Sequence, residues 1–200
     1  TMEFVLNMLL MPVVLFYLLR DWAHLIKLID EIIPRHWHEQ VNELANASDK
    51  VLAEFLRGQL SVMLIMSFCY VTGLWMLGLE FALPIGIIAG VLVFVPYLGL
   101  GIGLVLATLA ALIQFQDWSA LLQVWLIFGI AQLLESMVIT PWLVGNRIGL
   151  HPVIVIFALL AFGQLFGFVG LLLALPASAV LLVWLRHVRK QYLESNLYNP

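Results

Sequence analysis

Residues 118–141 read WSALLQVWLIFGIAQLLESMVITP, and this stretch decides the class of the chain. From Trp118 to Thr140 it carries one ionisable side chain, Glu135. A bilayer-spanning helix needs roughly 20 mostly apolar residues, and this run supplies them. The pattern extends in both directions. No Lys, Arg or His lies between Arg57 and Arg147, and the only acids there are Glu80, Asp117 and Glu135. The next bases cluster at Arg186, His187, Arg189 and Lys190, behind a further apolar block. A charge near the bilayer centre costs at least about 2.5–3.5 kcal/mol, so long charge-free blocks mark a membrane-embedded chain.

Composition agrees. Of 200 residues, 64% are hydrophobic and 10% charged, against about 25% charged in soluble domains. So little polar material cannot cover a soluble surface, and lipid must be the solvent. The fold class is therefore all-α: a polytopic transmembrane helical protein. Spans are expected at 2–19, 59–79, 81–97, 99–116 and 118–140. The block 152–187 is too long for one ordinary crossing and slightly short for two. One helix with a re-entrant segment and a tight hairpin both satisfy it, provided that protein or a water-filled cavity receives the irregular backbone.

Residues 22–57 differ in kind. Leu25, Ile29, Ile32 and Ile33 recur at helical spacing up to Pro34, and Trp37, Val41, Leu44, Val51, Phe55 and Leu56 continue the stripe. Charged side chains occupy the other side, and Trp22 and Trp37 suit a membrane–water boundary. This is an amphipathic, interfacial helical region. Asn46 or Ser48 is expected to cap a second helix in it after a short break. The chain thus reads as one membrane domain over 1–200, with a transmembrane helix at 1–21, the amphipathic region at 22–57, a transmembrane core at 58–190 and a tail at 191–200. The terminal basic cluster places the C-terminus in the cytoplasm by the positive-inside rule.

Several function classes find no support in the residues. There is no basic patch with interleaved aromatics, so no nucleic-acid partner is expected. Cys69 is the only cysteine, and neither a disulfide framework nor metal-ligand spacing exists. Phosphate-binding loops, serine-nucleophile motifs, zinc-binding helices and dinucleotide fingerprints are lacking. The expectation is no enzyme, no cofactor and no metal.

From residue 80 onward a set of short motifs recurs in order: Val95-Pro96-Tyr97-Leu98-Gly99, Gln132 to Glu135, Ile139-Thr140-Pro141, Val144-Gly145, Gly149-Leu150-His151-Pro152, Gly163 to Gly170, and Leu173-Ala174-Leu175-Pro176. In this order and spacing the chain resembles the autoinducer-2 exporter family of bacterial transporters. The resemblance implies a multi-pass protein of the bacterial inner membrane that exports a small solute. It also implies homo-oligomers, and longer proteins with further membrane helices ahead of the segment that starts here. Some relatives of this kind exchange sodium for protons, so the resemblance leaves the solute and the coupling ion, proton or sodium, open.

Glu135 leads the candidate transport residues, because an acid inside a span must face protein or a water path. Gln132 shares its helical face and Ser136 adjoins it. Asp117, at a span end, is a weaker candidate, more simply read as a helix cap. His151 and Arg147 lie in the following loop, where they would meet a solute or merely fix the loop. Two clusters of helix-breaking residues are candidate hinges: Pro96, Gly99, Gly101, Gly103 and Pro141, and then Gly163, Gly167, Gly170 and Pro176. Such residues allow close helix packing, and they also build the broken helices of transporter sites. A faint internal echo relates 103–107 to 170–174. The leading expectation is a secondary transporter or exporter driven by an ion gradient. A sodium/proton antiporter and a non-transporting oligomeric scaffold are the alternatives.

Overall fold

The structure, a computed structural model, describes residues 2–143 and 152–193. Among them every regular element is helical: α1 (Met2–Arg20), α2 (Trp22–Ile32), α3 (His38–Met76), α4 (Ala82–Leu92), α5 (Leu98–Phe115), α6 (Trp118–Leu134), a π-helical turn (Glu135–Ile139), α7 (Thr140–Leu143) and α8 (Pro152–Leu193). The protein is an all-α, polytopic membrane protein. Four helical stretches are long and apolar enough to cross a bilayer: His38–Met76, Leu98–Phe115, Trp118–Leu143 and Val153–Leu193. The contacts divide the chain into two units, 1–46 and 47–200.

In the first unit, α1 carries the apolar run and α2 the amphipathic one. Pro34 ends α2, because the residue before a proline is driven out of the helical region. Ile33 is accordingly extended, at φ −72° and ψ 125°. Across the break, His38 Nε2 lies 2.9 Å from Asp30 Oδ1. No residue of α2 is buried within the chain.

The expected break near Asn46 and Ser48 does not exist. The helix that starts at His38 runs unbroken for 39 residues into the membrane span. The stretch has no proline, and its first glycine is Gly58, so nothing in the backbone stops it. Ser48 instead accepts a hydrogen bond from Trp184 Nε1 at 3.1 Å, tying α3 to α8.

The core of the second unit lies among α3, α4, α5 and α6. Val62, Met66, Tyr70 and Leu74 form the buried stripe of α3. Ala82, Ile85 and Ala89 face it from α4, Ala107 and Ala111 from α5, and Val124, Phe128 and Ala131 from α6. Large residues point outward: Phe68, Trp75, Ile113 and Leu126 are all well over half exposed, as lipid-facing side chains are. Small residues sit where helices meet, because lipid gives no hydrophobic drive between helices and close packing must replace it. A Cβ at Gly99 would lie 2.5 Å from the Ala89 carbonyl oxygen, and one at Gly103 would lie 2.5 Å from the Ala89 Cβ. Gly101, between them, faces open space.

Two expected spans are corrected. The stretch 81–97 holds only the eleven-residue α4, about 16 Å long and too short to cross. It is the short arm of a helical hairpin with α5, turned through 93–97, where Tyr97 takes a left-handed conformation at φ 65° just after Pro96. The span 118–140 does not stop at Pro141, for the helix runs on to Leu143. A proline ring clashes with the carbonyl four residues earlier. Here that carbonyl belongs to Met137, inside the wide π-helical turn, where the backbone path is already altered.

In the last block, Gly167 breaks α8 at φ 61° and ψ −139°. A Cβ at Gly170 would strike the backbone carbonyl of Phe162, and one at Gly163 would lie 2.9 Å from the Leu171 side chain. Residues eight apart in a straight helix stand about 12 Å apart. These contacts therefore show a tight hairpin, the second of the two arrangements open to this block. Its arms are 152–166 and 168–193, and Pro176 lies inside the second arm. The first arm, about 22 Å long, falls short of the roughly 30 Å hydrocarbon core.

The backbone at Gly167 suits glycine alone, whereas Gly101 lies in a regular helix with space around it. Gly167→Ala is expected to lower stability by about 1–3 kcal/mol. Gly101→Ala should be neutral or stabilising by up to about 1 kcal/mol. Thermal unfolding of the detergent-solubilised variants checks both.

Candidate functional site

The site is built from the α3–α6 contact upward. Tyr70 stacks on Phe128 with ring centroids 4.6 Å apart, and a Cβ at Gly73 would press on Ile127. Gly78, just past the end of α3, is tied to Gln114, four residues before α6 begins, so α6 starts beside the end of α3 and runs back along it, antiparallel. Along α6 the inward stripe is Leu121, Val124, Phe128 and Ala131, at helical spacing, and Glu135 is its next member. In a regular helix the following inward position would be 138. Val138 is instead exposed and Ile139 is buried. The π-helical turn at Glu135–Ile139 causes this shift, because its wider turn keeps Glu135 and Ile139 on one face.

Glu135 is therefore half-buried at the end of the apolar stripe, with the half-buried Gln132 one turn behind it on the same face. Ser136 is not part of this face. It is exposed, and its hydroxyl donates to the Leu133 carbonyl of its own helix at 3.3 Å.

Opposite the stripe stands a residue that sequence reasoning missed. Tyr70 is 0% exposed, and its hydroxyl has no hydrogen-bond partner among the described residues. An unsatisfied buried hydroxyl costs roughly 1–3 kcal/mol. Helical side chains lean toward the N-terminus of their helix. The Tyr70 hydroxyl thus extends toward the level of Met66, and the Glu135 carboxyl leans back toward Ala131. In an antiparallel pair these directions converge. Glu135 lies two turns beyond Phe128, on which Tyr70 stacks, and Cys69 adjoins Tyr70 in α3. In sequence, Tyr70 is one aromatic residue within an apolar run, and nothing there marks it.

Two other polar side chains close the hairpin of α4 and α5. Gln59, buried on α3, donates to the Val93 carbonyl at 3.0 Å, where α4 ends. Gln114, near the end of α5, donates to the Gly78 carbonyl at 2.8 Å and accepts from the Glu80 N–H at 2.9 Å. Backbone groups freed by the broken helices are satisfied in this way. Asp117 is the N-cap of α6. It accepts hydrogen bonds from the Ser119 N–H at 3.3 Å and from the Ser119 hydroxyl. The Ser119 hydroxyl, and then its N–H, hold the Asp117 carboxyl below the usual carboxylate range. Asp117 lies at the end of the helix remote from Glu135. His151 and Arg147 lie outside the described residues. Among the hinge candidates, Gly99 and Gly103 face α4, while Gly163, Gly167 and Gly170 make the turn in α8. Among the described residues no cluster of His, Cys, Asp or Glu is arranged to hold a metal ion.

Against known proteins, the model of the AI-2E family transporters matches residues 1–190. The candidate transport protein YrrI of Bacillus subtilis is 36% identical over 176 residues, which is 88% of this chain and 49% of that protein. YueF of the same organism, also a candidate transport protein, is 29% identical over 84% of this chain and 45% of its own length. The candidate permease PerM of Escherichia coli is 24% identical over 86% of this chain and 48% of its own length. The chain thus spans about half the length of these relatives. No solved structure matches it.

Two outcomes follow from this geometry. Tyr70→Phe, which removes only the unsatisfied hydroxyl, should unfold at an equal or higher temperature than the wild type. The Asp117 cap should stabilise α6 fully above the ordinary carboxylate value of 3.8 and lose its effect as pH falls through the lower folded value. Melting curves of wild type and Asp117→Ala should accordingly differ at neutral pH and converge in strong acid.

Proposed function

The chain belongs to the AI-2E transporter family, and from that premise we propose that it forms part of a secondary membrane transporter that exports a small solute. The observation that carries this reading is Glu135. A carboxyl placed at the end of an otherwise apolar, inward-facing stripe is expensive in a membrane and marks a solute or ion path. Gln132 adds an amide to the same face. The π-helical turn beneath Glu135 supports the reading too, since such turns are frequent at functional sites. Two short-armed hairpins, α4 with α5 and the folded α8, match the discontinuous helices from which transporter sites are built.

In this reading Glu135 alternates between a charged and a neutral form as the protein cycles. An ion gradient, proton or sodium, drives the cycle. The solute is a small polar molecule, and the furanone signal autoinducer-2 is the first to test. The protein acts as a homo-oligomer in the bacterial inner membrane, with the bilayer and the solute as its partners.

The test uses the full-length protein in liposomes loaded with autoinducer-2, under an imposed proton or sodium gradient. Gradient-driven efflux should appear in the wild type and fall at least about tenfold in Glu135→Gln, the loss expected when one charge-dependent interaction is removed. Efflux that persists in Glu135→Gln would remove Glu135 from the coupling path. Ion exchange without solute efflux would favour an antiporter. No flux of either kind from folded protein would overturn the transporter reading in favour of a scaffold.

A further inference from the structure

The Tyr70 hydroxyl is the polar group that this conformation leaves unanswered. It is buried without a partner in the middle of the helical core, while every other buried side-chain polar atom among the described residues is satisfied. Most buried polar groups find partners, and an exception calls for a physical reason. Packing alone does not supply one. Phenylalanine would fill the same space against Phe128 and leave nothing unsatisfied.

The surroundings narrow the reason. The helices that face Tyr70, namely α4, α5 and α6, carry no ionisable side chain. Tyr70 stacks on Phe128, and two turns further along the same stripe stands Glu135, just beyond α6; Cys69 adjoins Tyr70 in the chain. A thiol is a weak hydrogen-bond partner, whereas a carboxylate is a strong acceptor. Glu135 also begins the π-helical turn that follows α6, a kind of turn frequent at functional sites. Migration of a π-helical turn by one residue rotates the side chains it passes by about 100°.

Resting on the reading of Glu135 as the transport carboxyl, we propose that Tyr70 is its positioning residue: in a second conformation, the π-helical turn at 135–139 shifts and the Tyr70 hydroxyl donates a hydrogen bond to the Glu135 carboxylate. The present conformation then leaves the Tyr70 hydroxyl without a partner among the described residues. The second joins it to the Glu135 carboxylate and withdraws Glu135 from the solute path. The hydroxyl left over in one state is the partner required in the other, so its burial without a bond follows from a two-state cycle.

The experiment compares full-length wild type, Tyr70→Phe, Glu135→Gln and the double variant, all first shown to be folded by thermal melting. Infrared difference spectra recorded between neutral and acid pH, with no solute present, give the first readout. A tyrosine band assigned by its loss in Tyr70→Phe should change when the wild type is acidified and stay silent in Glu135→Gln. A Tyr70 band that never responds, or responds equally without Glu135, overturns the proposal. Efflux of autoinducer-2 gives the second readout. Tyr70→Phe should slow it by about 10- to 100-fold, the range for one hydrogen bond to a charged group. The double variant should be no slower than Glu135→Gln. Wild-type efflux from Tyr70→Phe, or losses that multiply in the double variant, would equally overturn it. Should the wild type move no autoinducer-2 at all, the infrared result decides the Tyr70–Glu135 pair, and only the proposed solute falls.

Discussion

A chain surrounded by lipid must satisfy its own backbone N–H and C=O groups, and the architecture of the second unit follows from that constraint. Continuous helices meet it automatically, and the proline-free α3 runs unbroken for 39 residues into its span. Each interruption needs a side chain to receive the freed groups. Gln59 answers the end of α4 at Val93, and Gln114 answers both Gly78 and Glu80 at the turn before α4. These glutamines bond across 34 to 36 residues of sequence, so they also fix the hairpin of α4 and α5 in place.

Close packing completes what hydrogen bonding begins. Beside the larger Val62, Met66 and Leu74 of α3, the interior is lined by Ala89, Ala107, Ala111 and Ala131, and by glycines whose Cβ would collide with a neighbour. Into this interior the chain inserts one stacked aromatic pair, Tyr70 on Phe128. The pair joins α3 to α6, and Phe128 lies two turns before Glu135, where the π-helical turn begins. Apolar packing and polar chemistry therefore meet at one place. The carboxyl there belongs to the stripe that builds the core rather than to a separate loop.

Glu135 gains its character from that position. A glutamate on the lipid face would be too costly to keep, and one at a helix end would simply cap, as Asp117 does with Ser119. Held between the buried Ala131 and Ile139, with Gln132 behind it, Glu135 is half-buried on the face that builds the core. The folded α8 adds a second turn made by glycines. Both hairpins have a first arm too short to cross a bilayer, the arrangement on which the transporter reading draws.

Much of this was legible in the residues themselves. Charge-free blocks separated by turn-forming residues give the membrane class and most helix positions, because a bilayer excludes charge whatever the tertiary arrangement. The inward placement of Glu135 follows from the same rule. The expected break at Asn46 and Ser48 failed because capping residues permit a helix to start without requiring one to stop. The length of α4 and the passage of the helix through Pro141 were out of reach, and the residues left the hairpin at Gly167 as one of two arrangements. Apolar composition is the same for a crossing helix and for a helix that turns back. The role of Tyr70 was equally hidden. An aromatic residue in an apolar run reads as core, and only the tertiary structure shows, among the described residues, a buried hydroxyl without a partner on a ring stacked two turns before the one carboxyl of the span, because that relation depends on which helices pack together.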